Sequence, residues 1–66
     1  MKAAQFTPGP WYWLEYFDYL GVAHFFVCRQ NFRKHDYLLT PAGNRRHFRS
    51  EIAADIAVAK ANKDAT

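Results

Sequence analysis

A single cysteine, Cys28, in a chain of 66 residues most narrows what this sequence can fold into. No internal disulfide can form, yet a domain of about 60 residues buries only about 60% of the surface its unfolded chain exposes. Scaffolds this small need some other source of stability: dense packing, a metal or self-association. Twelve residues are Phe, Tyr or Trp, and nine of them fall between Phe6 and Phe26. Each aromatic can bury roughly 150–250 Å². A core of this size cannot enclose them all, so some should remain on a partly exposed patch suited to contact.

The order of residues predicts one α+β domain. Residues 1–10 read as a loose leader, because Pro8-Gly9-Pro10 interrupts any regular element. Trp11 to Tyr19 admits two readings. Aromatics favour a strand, with Trp11, Trp13, Glu15, Phe17 and Tyr19 on one face and Tyr12, Leu14, Tyr16 and Asp18 on the other. A helix competes, since Pro10 suits its first position and Gly21 the residue past its end. The strand is preferred, because only Leu14 and Glu15 in this stretch are strong helix formers. Gly21 then supplies a positive φ in a hairpin turn at Tyr19-Leu20-Gly21-Val22.

Val22 to Arg29 alternates Val22, His24, Phe26 and Cys28 with Ala23, Phe25, Val27 and Arg29, apolar on both faces as in a central strand. Asn31 to Asp36 reads as a loop or irregular edge, and Tyr37 to Thr40 as a short third strand closed by Pro41-Ala42-Gly43-Asn44. Arg45 to Phe48 continues as a strand or leads into the last element. Ser50 to Asn62 is a helix, with Ser50 as N-cap, Glu51 and Asp55 near its positive end, and Asn62 as its terminus. Ile52, Ile56 and Ala59, with Ala53, should form its buried stripe. The expected fold is a small two- or three-stranded antiparallel sheet with one C-terminal helix packed on it, spanning 11–62, with 63–66 as a frayed tail.

Several chemistries are poorly served by these residues. His24, Cys28, His35 and His47 are the soft metal ligands. On a strand His24 and Cys28 stand about 13 Å apart, too far for one ion; on a helix they would converge, but no close ligand pair accompanies them. A thiol in an apolar strand is inert, Ser50 is a helix cap, the six acids are scattered and the three glycines are isolated. No enzyme, metal, cofactor or small-molecule substrate is therefore expected. The N-terminus lacks the apolar run of a signal peptide, and no stretch approaches the length of a membrane span. With its lone cysteine, the chain is expected in the cytoplasm, away from membranes.

The charge is local. From Arg29 to Arg49 six cations face one acid, Asp36, a net of +5; elsewhere three lysines face five acids, a net of −2. Arg33, Lys34, Arg45, Arg46 and Arg49 are the candidate anion-binding residues, three of them just before a helix N-terminus. With Phe32 or Tyr37 exposed beside them, single-stranded bases could stack there. A protein-binding or self-associating surface is the alternative, with Trp11, Trp13 and Tyr16 as anchors, since interfaces are enriched in Trp, Tyr and Arg.

Phe6-Thr7-Pro8-Gly9-Pro10-Trp11 resembles the Thr-Pro-Gly-Pro-Trp opening of small uncharacterised phage and prophage proteins. The run from Phe48 through the alanine-rich helix to Asn62 is similar to their ends, where a strand leads into such a helix. The resemblance implies a phage or prophage accessory protein, acting on nucleic acid or blocking a host protein. It brings no activity and no site residues.

Overall fold

The computed structural model describes residues 8–65. Met1 to Thr7 and Thr66, and with them most of the expected leader and the first two residues of the resemblance motif, lie outside the described residues. Three antiparallel strands, β1 (Tyr12–Phe17), β2 (Ala23–Asn31) and β3 (Lys34–Tyr37), form one sheet in that order, followed by a helix, α1 (Glu51–Asp64). The fold is α+β, with α1 packed on one face of the sheet.

Residues Trp11 to Tyr19 resolve as strand over Tyr12–Phe17, paired antiparallel with β2 from Tyr12↔Cys28 to Phe17↔Ala23. The hairpin turn begins one residue earlier than expected, because Asp18 organises it. Asp18 Oδ1 accepts from the backbone N–H groups of Leu20 and Val22 at 2.9 and 3.0 Å. Gly21 N–H donates to the Asp18 carbonyl at 2.9 Å, and Gly21 holds φ at +78°, which a residue with a Cβ rarely adopts.

β2 runs two residues past Arg29, to Asn31, and turns tightly through Phe32 and Arg33 into β3. The third strand thus falls on Lys34–Tyr37, earlier than the expected Tyr37 to Thr40, and the stretch read as a loop is mostly strand. Asp36 stabilises this hairpin from within: its Oδ2 accepts from Asn31 Nδ2 at 2.8 Å and from Arg29 Nε at 3.3 Å. Both bonds hold its carboxyl below the ordinary carboxylate range.

Beyond β3 the chain turns through Pro41 to Asn44, with Gly43 at φ +88°, and returns along the sheet. Leu39 bridges Arg45, Arg46 N–H donates to the Leu38 carbonyl at 2.8 Å, and Phe25 and Phe48 exchange two backbone bonds at 3.0 and 2.9 Å. Residues 45–48 therefore take over the flank of β2 that the short β3 leaves open.

Strand alternation puts Trp11, Trp13, Phe25, Val27 and Phe48 on the face under α1. Phe25, Val27, Phe48 and Ala54 form the core, and the Trp13 ring meets Phe25 edge-on at 5.4 Å. Such bulky residues on the sheet leave room only for small ones on the helix. Accordingly α1 approaches through Ala54, fully buried, flanked by Ala53, Ala57 and Val58. Ile52 and Ile56, expected in the buried stripe, are instead 74% and 65% exposed.

Two polar tethers fix that rotation. Trp13 Nε1 donates to Asp55 Oδ1 at 2.6 Å. Seven residues on, and so on the same side of the helix, Asn62 Oδ1 accepts from Trp11 N–H at 2.7 Å while its Nδ2 donates to the Trp11 carbonyl at 3.1 Å. With its amide occupied there, Asn62 does not terminate the helix. The helix continues through Asp64, so Lys63 and Asp64 are helical rather than frayed, and Ala65 is the C-cap. The start is as expected: Ser50 Oγ accepts from Ala53 N–H at 3.1 Å.

Asn62→Ala strands both Trp11 backbone groups, and the expected cost is about 2 kcal/mol. At about 4–8 °C per kcal/mol, thermal unfolding followed by circular dichroism should show a midpoint about 10 °C lower. A shift of no more than a degree or two would mean that the clasp does not hold the helix to β1.

Candidate nucleic-acid interface

Among the described residues no helix lies over the face of the sheet opposite α1. The alternation that buries Trp13 and Phe25 beneath α1 turns Tyr12, Leu14 and Tyr16 of β1, His24, Phe26 and Cys28 of β2, and Tyr37 of β3 to this side. Arg45 and His47 reach it from the returning segment, where alternation sends Arg46 and Phe48 the other way.

The rings form a continuous array. Tyr16 and Phe26, diagonal neighbours across β1 and β2, lie 5.4 Å apart and within 5° of parallel. Tyr16 also stacks on His24 at 5.0 Å, and Phe26 meets the edge of Tyr37 at 6.4 Å. The Arg45 guanidinium sits 4.0 Å over the Tyr37 ring, which aligns the cation while leaving its donors available. Leu14, Glu15, Tyr16, Phe26, Tyr37 and Arg45 line a shallow depression of about 530 Å³. Leu14 is 43% and Tyr16 45% exposed, so the apolar surface here faces solvent. Cys28, between its register partners Tyr12 and Tyr37, is fully buried and a free thiol.

One end of the array is polar. Asp18 Oδ2 is 2.7 Å from His24 Nε2, and His24 Nδ1 is hydrogen-bonded to His47 Nε2. The bond from His24, with the backbone N–H groups of Val22 and Leu20, holds the Asp18 carboxyl below its ordinary value. Partial desolvation, then the electrostatic influence of His24 and Arg49, push His47 below the usual histidine value. Asp18 and His47 meet opposite nitrogens of the His24 ring and so do not converge on a common point. Among the described residues no group of three or more His, Cys, Asp or Glu side chains is placed to hold a metal ion.

The five basic candidates are not gathered on one face. Arg45 lies on the open face. Arg46 lies on the opposite side, 5.0 Å over Phe48, and lines a second depression with Lys60 of α1. Arg33 stands in the β2–β3 turn, 5.3 Å over the Phe32 ring, and Lys34 is exposed at the start of β3. Arg49 is exposed just ahead of the Ser50 cap. Of the aromatic candidates, only Tyr16 is on the open face. Trp11 and Trp13 are half-buried under α1, with the Arg29 guanidinium 4.6 Å over Trp11.

Phe26 and Leu14 join the open face without having been singled out from the sequence, and His47, weighed there only as a metal ligand, joins them. The alternation did group Leu14 with Tyr16 and Phe26 with His24. What it lacked was which face the helix covers, which the Trp13–Asp55 and Trp11–Asn62 bonds decide. No helix among the described residues is long and apolar enough to cross a membrane. No protein-family model, no curated protein and no solved structure matches this chain.

Proposed function

We propose that the chain is a non-enzymatic accessory protein, of phage or prophage type and working in the cytoplasm, that binds single-stranded nucleic acid on the open face of its sheet. The observation that carries this reading is the parallel Tyr16–Phe26 pair, partly exposed, with the Arg45 guanidinium at its border. Single-strand binding needs flat apolar rings on which bases can stack and cations that follow the phosphates. In a duplex the base faces are already stacked on each other and unavailable to such rings. Arg45 is the phosphate contact closest to the rings. Arg33, in the turn at the far end of the β2–β3 hairpin, extends the path for a strand crossing the sheet, whereas alternation from Tyr37 turns Lys34 to the side of α1.

Titration of isotope-labelled protein with a short single-stranded oligonucleotide tests this. Resonances of Leu14, Tyr16, Phe26, Tyr37 and Arg45 should shift, while those of Ala54 and Asp55 stay in place. Shifts centred instead on Arg46 and Lys60, beside the helix, would overturn the assignment of the face.

A further inference from the structure

We infer that β1 is a homodimerisation edge: two copies of this chain join antiparallel through Trp13, Glu15 and Phe17 into a six-stranded sheet. The two edges of the existing sheet are unlike. On the far side β3 is four residues long and opens with Lys34, and residues 45–48 close the rest by bonding to Phe25 and Leu38. Short length, lysine and covering segments all discourage strand addition. β1 has six residues with neither lysine nor proline, and Glu15 is its only charge.

The backbone itself selects the occupant. Phe25 bonds toward Phe48, and Val27 toward Leu38, so alternation turns His24, Phe26 and Cys28 toward β1. Their register partners Tyr16, Leu14 and Tyr12 face inward, and Trp13, Glu15 and Phe17 direct N–H and C=O groups outward. Trp11, the next outward residue, is already taken by the Asn62 amide. Among the described residues the free groups are therefore symmetric about Glu15. A two-fold axis there pairs Trp13 with Phe17 of the second copy, Glu15 with Glu15 and Phe17 with Trp13, for about six hydrogen bonds. On the open face the same register sets Leu14 opposite Tyr16 of the second copy, twice.

This pairing covers Phe17, 64% exposed in the single chain, and adds apolar contact to a molecule with five buried apolar residues among those described. Oligomerisation is one of the few routes to stability at this size. Edge pairing leaves the open face of the sheet uncovered, so the inference does not depend on the nucleic-acid reading. The opposed glutamates are its one unfavourable contact. Glu15→Gln is expected to tighten the dimer about two- to five-fold, the value of a cross-strand like-charge pair.

The test needs no nucleic acid: sedimentation from micromolar to millimolar protein, with amide exchange read residue by residue. The expected result is a reversible monomer–dimer equilibrium in which the Trp13, Glu15 and Phe17 amides gain protection as the dimer forms. Glu15→Pro removes an outward donor without touching the bonds to β2 and should hold the chain monomeric. Phe17→Glu should do the same by setting a further carboxylate beside the already opposed Glu15 pair, and it serves should the proline variant fail to fold. A wild-type chain that stays monomeric at millimolar concentration would overturn the inference. So would a dimer that persists in Phe17→Glu or leaves those three amides unprotected.

Discussion

Phe25→Ala is expected to leave the chain largely unfolded at room temperature. Phe25 is 4% exposed, receives the edge of Trp13 at 5.4 Å, and is the residue whose backbone holds Phe48 against β2. Truncating a buried phenylalanine typically costs about 3–5 kcal/mol. A single core in a domain this small rarely supplies more than about 3–5 kcal/mol in all. The two magnitudes are equal, so nothing is left to hold the fold. Ile52→Ala, at 74% exposed, should by contrast change stability by less than about 0.5 kcal/mol. Urea titration of both variants checks the pair. A cooperative Phe25→Ala transition near that of the parent would mean that the core lies elsewhere. A large loss from Ile52→Ala would mean that α1 is rotated from the orientation fixed by Asp55 and Asn62.

The second large effect concerns binding. Tyr16→Ala should weaken single-strand affinity by about 1–3 kcal/mol, roughly 5- to 150-fold, the usual cost of removing one stacking ring. Because Tyr16 is 45% exposed and outside the core, the variant should stay folded. Arg45→Ala should act differently: it removes a phosphate contact, so the slope of log affinity against log salt should fall by about 1. Tyr16→Ala should leave that slope unchanged, since a stacked base releases no counterion. Fluorescence anisotropy with a labelled oligonucleotide at several salt concentrations separates the two. Equal slopes for the parent and Arg45→Ala would remove Arg45 from the interface.

The α+β plan was legible because its signals are local. Ser50 caps a helix through its own hydroxyl, Gly21 is needed wherever φ must be positive, and the alternation from Val22 to Arg29 marks a central strand. The misplaced elements depended on distant groups. The hairpin turn moved by one residue because Asp18 accepts three backbone N–H bonds, which composition does not reveal. β3 moved because Asp36 binds Asn31 and Arg29 across the hairpin. The helix face could not be read from apolar periodicity, because the residues that fit against Trp13 and Phe25 are alanines and the isoleucines are too large for the gap. Charge had the same limit. The basic window from Arg29 to Arg49 is plain in the sequence, but strand alternation between Arg45 and Arg46 sends adjacent arginines to opposite sides of the sheet.

The central claim is that the open face binds unpaired bases, and one measurement addresses it most directly. Affinity should be compared for single-stranded and double-stranded oligonucleotides of the same sequence, as DNA and as RNA, from low to physiological salt. The account predicts binding that prefers the single strand at every salt concentration, weakens as salt rises, and retains a stacking component that salt does not remove. Binding that favours the duplex, or no binding to any of these at low salt, would contradict it.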